Sequence, residues 1–201
     1  DLETRSKAID LVVKAAHPDT MKHLVAVLAH ESEDARRAAV EVLNGIADAG
    51  TIKYLLAALE DSDWWVRSRS ADALAKIGGP KVMDAVLELV RDPDDNIRRA
   101  AIEILNLTKD ERSVAHLMRA TEDKDWWVRE RAADALAEIG STKAVPALVK
   151  MLGGDVRSAP AAVRALGRLG DAKVIATLMP LLDHADKAIR LEAVAAVSRL
   201  A

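Results

Sequence analysis

The sequence predicts an all-α protein, a right-handed α-solenoid of stacked antiparallel helix pairs with about thirteen helices. Three observations predict it. Apolar residues make up 50% of the 201-residue chain, yet aromatics are only 2% and Phe is absent. A core filled by Ala, Leu, Val and Ile suits close-packed helices. The chain also repeats itself: Asp63-Trp64-Trp65-Val66-Arg67 recurs 62 residues later as Asp125-Trp126-Trp127-Val128-Arg129, with Asn96-Ile97-Arg98-Arg99 halfway between. Apolar residues within each copy recur at helical spacing. A 31-residue helix pair cannot bury its apolar face alone, so neighbouring copies must stack.

The register is marked by Arg5, Arg36, Arg67, Arg98 and Arg129, then, after a one-residue deletion, by Ala159, and finally by Arg190. Four residues before each marker stand Asp1, Ser32, Asp63, Asp94, Asp125, Asp155 and Asp186. A column of Asp and Ser at one position predicts N-caps, whose side chains accept bonds from otherwise unpaired amide groups. Four and seven residues after the marker come Ile9/Val12, Val40/Leu43, Ala71/Leu74, Ile102/Leu105, Ala133/Leu136, Val163/Leu166 and Val194/Val197, the predicted core stripe. Small residues (Ala8, Ala39, Ser70, Ala101, Ala132, Ala162, Ala193) flank it. Gly78, Gly140 and Gly170 fall where a glycine would close the helix. Another helix precedes each of the last six, with the pairs Leu24/Leu28, Leu55/Leu59, Val86/Val90, Leu117/Thr121, Leu148/Leu152 and Leu178/Leu182. The expected organisation is one solenoid over 1–201: a half repeat 1–17, then repeats 18–48, 49–79, 80–110, 111–141, 142–171 and 172–201.

Composition narrows function. Lys plus Arg number 29 against 32 Asp plus Glu, a formal net charge of −3. That balance opposes whole-surface capture of nucleic acid or anionic membrane. With no cysteine, disulfides, thiol catalysis and Cys-containing zinc sites are excluded. No apolar run approaches the roughly 18 residues that span a bilayer. The chain opens at Asp1 without Met and reads as a segment of a longer, cytoplasmic protein. No Gly-rich phosphate loop, Gly-x-Ser-x-Gly or His-Glu-x-x-His occurs. The five histidines, His17, His23, His30, His116 and His184, are scattered. No catalytic residue, metal site or cofactor is therefore expected.

The motif Asp-x-x-x-x-Val/Ile-Arg-x-x-Ala-x-x-Ala-Leu-x-x-Ile-Gly, preceded by Ala144-Val145-Pro146-Ala147-Leu148, resembles HEAT repeats of the short PBS-lyase type. The resemblance covers the whole chain. It implies that Asp61/Arg67, Asp92/Arg98 and Asp123/Arg129 belong to a lengthwise hydrogen-bonded ladder, and that the second helices line a concave face. Two departures stand out: His30 replaces a ladder Asp, and Ser158-Ala159-Pro160 replaces an Arg register, predicting a helix that starts late. One relative with similar repeats, deoxyhypusine hydroxylase, holds two irons with His-Glu dipeptides on its second helices. Here the only His-Glu, His30-Glu31, falls in a turn, so that class is excluded.

On the expected concave face, Asp10, Glu41, Asp72, Glu103 and Asp134 form an acidic column that switches to Arg164. It reads either as a solvated face with intrahelical pairs, Arg37–Glu41 and Arg99–Glu103, or as a track for a basic partner segment. The tryptophans divide. Trp64 and Trp126 are expected mostly buried at the core edge. Trp65 and Trp127 face the groove, as a binding platform or packed on Arg69 and Arg131 as cation–π pairs. The predicted partner-binding set is Trp65, Trp127, Arg69, Arg131, Asp72, Asp134, Glu41, Glu103, Arg37, Arg99 and Lys76. The leading functional expectation is a non-catalytic interaction module, a regulatory segment of a larger signalling protein that binds a protein or peptide. The alternatives are a phycobilin-lyase-like accessory factor and, against the acidic column, a nucleic-acid backbone binder.

Overall fold

The computed structural model describes residues 11–14 and 18–201. The features expected at Asp1, Arg5, Ala8, Ile9 and Asp10 lie outside these residues. Among the described residues there is no strand. Residues 11–14 are helical, and twelve α-helices follow: α1 (Pro18–Val27), α2 (Glu33–Ile46), α3 (Ile52–Ala58), α4 (Trp64–Ile77), α5 (Gly79–Leu89), α6 (Asp95–Thr108), α7 (Val114–Ala120), α8 (Trp126–Ile139), α9 (Val145–Leu152), α10 (Ala159–Leu169), α11 (Ile175–Leu178) and α12 (Lys187–Leu200). The all-α class of stacked helix pairs expected from the sequence is the one found. Contacts divide the chain into two compact units, Asp1–Ile104 and Leu105–Ala201.

In the first unit α2 packs on α1, and α4 on both α2 and α3. Val40, Leu43, Leu55, Leu59, Leu74, Val86 and Ile102 are each wholly buried, as the period requires. In the second, α10 packs against α8, α9 and α12, around Leu117, Leu136, Leu148, Val163, Leu166 and Leu178. A Cβ on Gly167 would lie 2.6 Å from Cβ of Ala196, so α10 and α12 approach as closely as they do only because that position lacks a side chain. Of the expected core positions, Val12, Leu24, Leu28, Leu152, Leu182 and Val197 are only half-buried, and one more is open to solvent. Val194, on α12, is 53% exposed.

The caps follow the register. Asp63, Asp125 and Asp186 accept from Trp65 N–H (3.0 Å), Trp127 N–H (3.0 Å) and Ala188 N–H (2.7 Å). Asp94 does the same for Asn96 at 2.7 Å. Ser32 occupies its N-cap position without a side-chain cap bond. Asp155 bonds Arg157 N–H (3.0 Å) but caps no helix, because α10 starts late, at Ala159, with Ser158 as N-cap and Pro160 in its first turn. At the helix ends, the position eleven after the marker has positive φ in five successive repeats. Gly78, Gly140 and Gly170 hold it without a Cβ penalty, whereas Ala47 (φ 52°) and Lys109 (φ 51°) adopt it with one. His30 and His184 substitute for turn Asp residues: each Nδ1 accepts the N–H two residues on, at 3.0 Å. One irregularity was not foreseen. α11 is only one turn and continues as a 3₁₀ segment, Met179–Asp183, since Pro180 has no N–H for an α-helical bond.

Candidate functional site

The second helix of each pair (α2, α4, α6, α8, α10, α12) carries the residues singled out in the sequence. In the first unit, Trp65 sits at the second position of α4, where the Asp63 cap fixes the backbone. Its half-buried indole lies beneath Arg69, whose guanidinium carbon is 5.3 Å from the ring centroid. Arg69 in turn bridges two helices: Nε is 3.3 Å from Glu41 Oε2 on α2, and Nη1 donates to Asp72 Oδ2 at 2.9 Å. Lys76 reaches back to donate to the carbonyls of Asn44 (2.9 Å) and Gly45 (3.3 Å) in the last turn of α2. A cation there also suits the negative end of the helix dipole.

The second unit repeats the theme with different partners. Trp127 lies under Arg131 at 5.7 Å. Arg164 of α10 donates to Asp134 Oδ1 of α8 from Nε (3.2 Å) and Nη2 (3.0 Å), and its Nη1 donates to Glu192 of α12 at 3.0 Å. Glu138 receives Lys109 at 2.9 Å and also Arg168, and these hydrogen bonds hold its carboxyl below the ordinary range. Glu130, on the same helix, is pushed the other way by burial.

These contacts correct two expectations about the face. Glu41, Asp72 and Asp134 are not an open acidic track; each is bridged by an Arg, and for Glu41 and Asp134 that Arg comes from the second helix of the next repeat. The intrahelical Arg37–Glu41 pair does not form. Arg37 turns instead to Asp63, the N-cap of the following repeat, and lies 3.6 Å from Glu33. Hydrogen bonding from Arg37 lowers the Asp63 carboxyl. Arg99 is exposed and Glu103 half-buried on α6, and both have partners of their own.

The tryptophans are also divided the other way from expectation. Trp64 is 66% exposed and Trp126 41% exposed, while Trp65 and Trp127 are the shielded pair. The reason is position. Four residues on from Trp65 and Trp127 an Arg lies over the ring, whereas Trp64 and Trp126 have Ser68 and Glu130 at that place. The register equivalents of Trp64, Glu33 and Asp95, are charged and provide no apolar lid. At the register equivalent of Trp126 in the next repeat, Val156 is itself 52% exposed.

The ladder is real but uneven. Each described register Arg donates Nη1 to two carbonyls of its own turn, for example Arg36 to His30 and Glu31 and Arg129 to Asp123 and Lys124. In Arg36 and Arg129 the remaining edge then reaches the next repeat. Arg36 grips Asp61 with two bonds, Nε at 2.7 Å and Nη2 at 3.0 Å. Arg129 donates to Ser158 Oγ (2.9 Å) and Asp155 Oδ2 (2.6 Å). Between them, Arg67 makes no bond or ion pair with Asp92. A cleft of about 330 Å³ opens there instead, lined by Leu59, Glu60, Asp61, Arg67, Asp92, Asp94, Asn96 and Ile97. The sequence held no sign of it, since Arg67 and Asp92 match the ladder motif in full.

No described group of His, Asp or Glu is placed to hold a metal ion. No described helix is long and apolar enough to cross a membrane.

Comparison with known proteins gives these contacts a context. A family model for HEAT repeats matches residues 21–103 and 83–159, and one for the PBS lyase HEAT-like repeat matches 161–184. The chain is 33% identical over 117 residues to phycocyanobilin lyase subunit alpha of Picosynechococcus sp., covering 52% of this chain and 44% of that protein. It is 29% identical over 117 residues to the corresponding Nostoc sp. subunit, with 52% and 42% covered. The chain thus spans less than half the length of these relatives. Among solved structures, the complex of CpcE and CpcF of phycocyanin lyase from Nostoc sp. superposes with a TM-score of 0.64 at 27% identity, covering 75% of this chain and 65% of that one. These likenesses overturn the expectation of a non-enzymatic regulatory segment of a signalling protein, because the relatives are subunits of a lyase. With more than half of its length matched by the repeat model and helix pairs stacked in both units, the chain belongs to the HEAT-repeat family.

Proposed function

We propose that the chain is part of a phycobilin-lyase-like factor that binds a linear tetrapyrrole and a protein partner. The observation that carries this is the 33% identity over 117 residues to phycocyanobilin lyase subunit alpha. The structural neighbour, itself a complex of two proteins, supports the protein partner. The chemistry of the second-helix face is compatible. A bilin is a flat conjugated ligand bearing carboxylates; indoles accept its face and guanidinium groups its carboxylates. Trp65 with Arg69 and Trp127 with Arg131 carry both groups, and a bilin would seat on either indole by displacing the guanidinium that covers it. The chain has no cysteine, so a thioether to the bilin would have to form on a thiol outside these 201 residues. Its part is to hold and orient the chromophore. The neighbouring residues Arg37, Glu41, Asp72, Lys76, Arg99, Glu103 and Asp134 would then frame the partner's contact.

The test is spectroscopic. Titrating phycocyanobilin with the protein should sharpen and intensify its red absorption band and raise its fluorescence, as an ordered extended bilin requires. An unchanged spectrum at protein excess would overturn the reading.

A further inference from the structure

The open rung at Arg67 is the one place in the described ladder where a built donor and a built acceptor face a cavity instead of each other. Arg67 spends Nη1 on the carbonyls of Asp61 (2.7 Å) and Ser62 (2.9 Å), as its counterparts do on their own turns. Its Nε/Nη2 edge, which grips a carboxylate in Arg36 and meets Ser158 and Asp155 in Arg129, has no acceptor. Across the cleft, Asp92 uses Oδ1 to take the N–H of Asp94 at 2.8 Å, which leaves Oδ2 without a donor. Asp61 is already held by Arg36. Buried Leu59 and Ile97 give the same cleft an apolar wall.

A ligand completing this rung must accept from a guanidinium on one side, donate to a carboxylate on the other, and carry apolar bulk. An anion fails the second requirement, because Asp92, Asp94 and Glu60 repel it. A simple cation fails the first. A cis secondary amide satisfies both: a lactam presents C=O and N–H side by side on one edge, with ring carbons behind. We infer that the Arg67–Asp92 cleft is a lactam-binding subsite, with Arg67 donating to the carbonyl and Asp92 accepting from the ring N–H. A linear tetrapyrrole ends in lactam rings, so the subsite would seat one end of the bilin; this assignment of the ligand rests on the function proposed above. An N-alkylated lactam keeps its carbonyl but has no N–H to give, so the Asp92 acceptor would face a methyl group. A site built on such a hydrogen bond rejects analogues that lack it.

Two arms separate the subsite from the bilin reading. In the first, 2-pyrrolidone and N-methyl-2-pyrrolidone are titrated while the arginine Nε–H resonances are followed by NMR. Pyrrolidone should move the Arg67 signal well beyond those of Arg36 and Arg129, and the N-methyl compound should not. Equal shifts from both, or none from either, overturn the subsite whatever the protein does with bilins. In the second, phycocyanobilin affinity is compared between wild type and Asp92→Asn. That change keeps an oxygen for Asp94 N–H but turns a donor toward the ligand. Binding should weaken about tenfold with the melting temperature unchanged. Wild-type affinity in Asp92→Asn overturns the subsite. A positive pyrrolidone arm with no phycocyanobilin binding supports the subsite and overturns the lyase-like function.

Discussion

The helices α4 and α8 carry nearly the same sequence and differ in what they do to their neighbours. Both are 14 residues long, both are capped by an Asp bonded to the second Trp at 3.0 Å, and both shelter that Trp under an Arg one turn on. Both bury a central Leu completely. Yet Arg129 ties its repeat to the next turn and Arg67 opens onto a cleft, and Trp64 stands more exposed than Trp126. Everything that depends on residues within one turn is duplicated. Everything that depends on the facing repeat diverges. The acceptors show why. Arg129 meets Asp155, four residues before its own register position, because the deletion leaves Gly153 where the ladder Asp would stand. Arg67 faces an ordinary ladder Asp and leaves it unpaired.

Core truncation should produce the largest effect and treat the two helices alike. Leu74→Ala and Leu136→Ala should each cost about 2–5 kcal/mol in urea denaturation. A gap between them larger than the cavity difference would break the equivalence of the two cores.

Next come the backbone approaches and ladders, where the comparison sharpens. Gly167→Ala, forcing a methyl onto Ala196 backbone, should cost about 1–3 kcal/mol. Arg129→Ala should cost about 1.5–3 kcal/mol, since charged bonds to Asp155 are lost, against about 1 kcal/mol for Arg67→Ala, which loses only its own turn. Equal losses in thermal melts would mean that the Arg67 rung closes in solution.

The acid limb of the stability profile tests Asp155, the carboxylate shared by Arg157 and Arg129. Hydrogen bonds from Arg157, with the charge of Arg129, bring the Asp155 carboxyl down to about 2. Its folded value lies below the unfolded ~3.9. The stability it contributes is therefore complete above the unfolded value and is lost as pH falls toward 2. Asp155→Asn should flatten that part of the pH–stability curve; an unaltered slope between the two values counts against the rung.

The smallest effects fall on the exposed indoles. Trp64→Ala should change stability by no more than about 0.5 kcal/mol. In single-Trp variants iodide should quench Trp64 most, then Trp126, with Trp65 and Trp127 protected. Strong quenching of Trp65 would show that its Arg69 lid is open.

Much of this molecule could be read from the chain. The 31-residue step located the caps, the buried leucines and the late start of α10. It did so because N-caps, helix periods and proline effects are set by residues a few positions apart. The contacts of the second-helix face were half legible. Trp65 on Arg69 was foreseen as one of two options, because the two residues are four apart on one helix. The burial of the two tryptophans of each pair was read in reverse, since at a first helical position exposure depends on what the neighbouring repeat places alongside. The acidic column looked open because its counterions, Arg69 for Glu41 and Arg164 for Asp134, come from other repeats. The α11 irregularity follows from Pro180 alone, which is a signal within the sequence.

The sequence by itself determined that this chain forms helix pairs of one period, with Ala and Leu inside and, in four described repeats, an Asp-capped second helix, because those choices are local and recur with the period. Only the tertiary structure decided which charges neutralise one another and where the ladder breaks. A guanidinium has the same reach in every repeat, but whether a carboxylate lies within it depends on how two turns, about thirty residues apart in the chain, come to face each other.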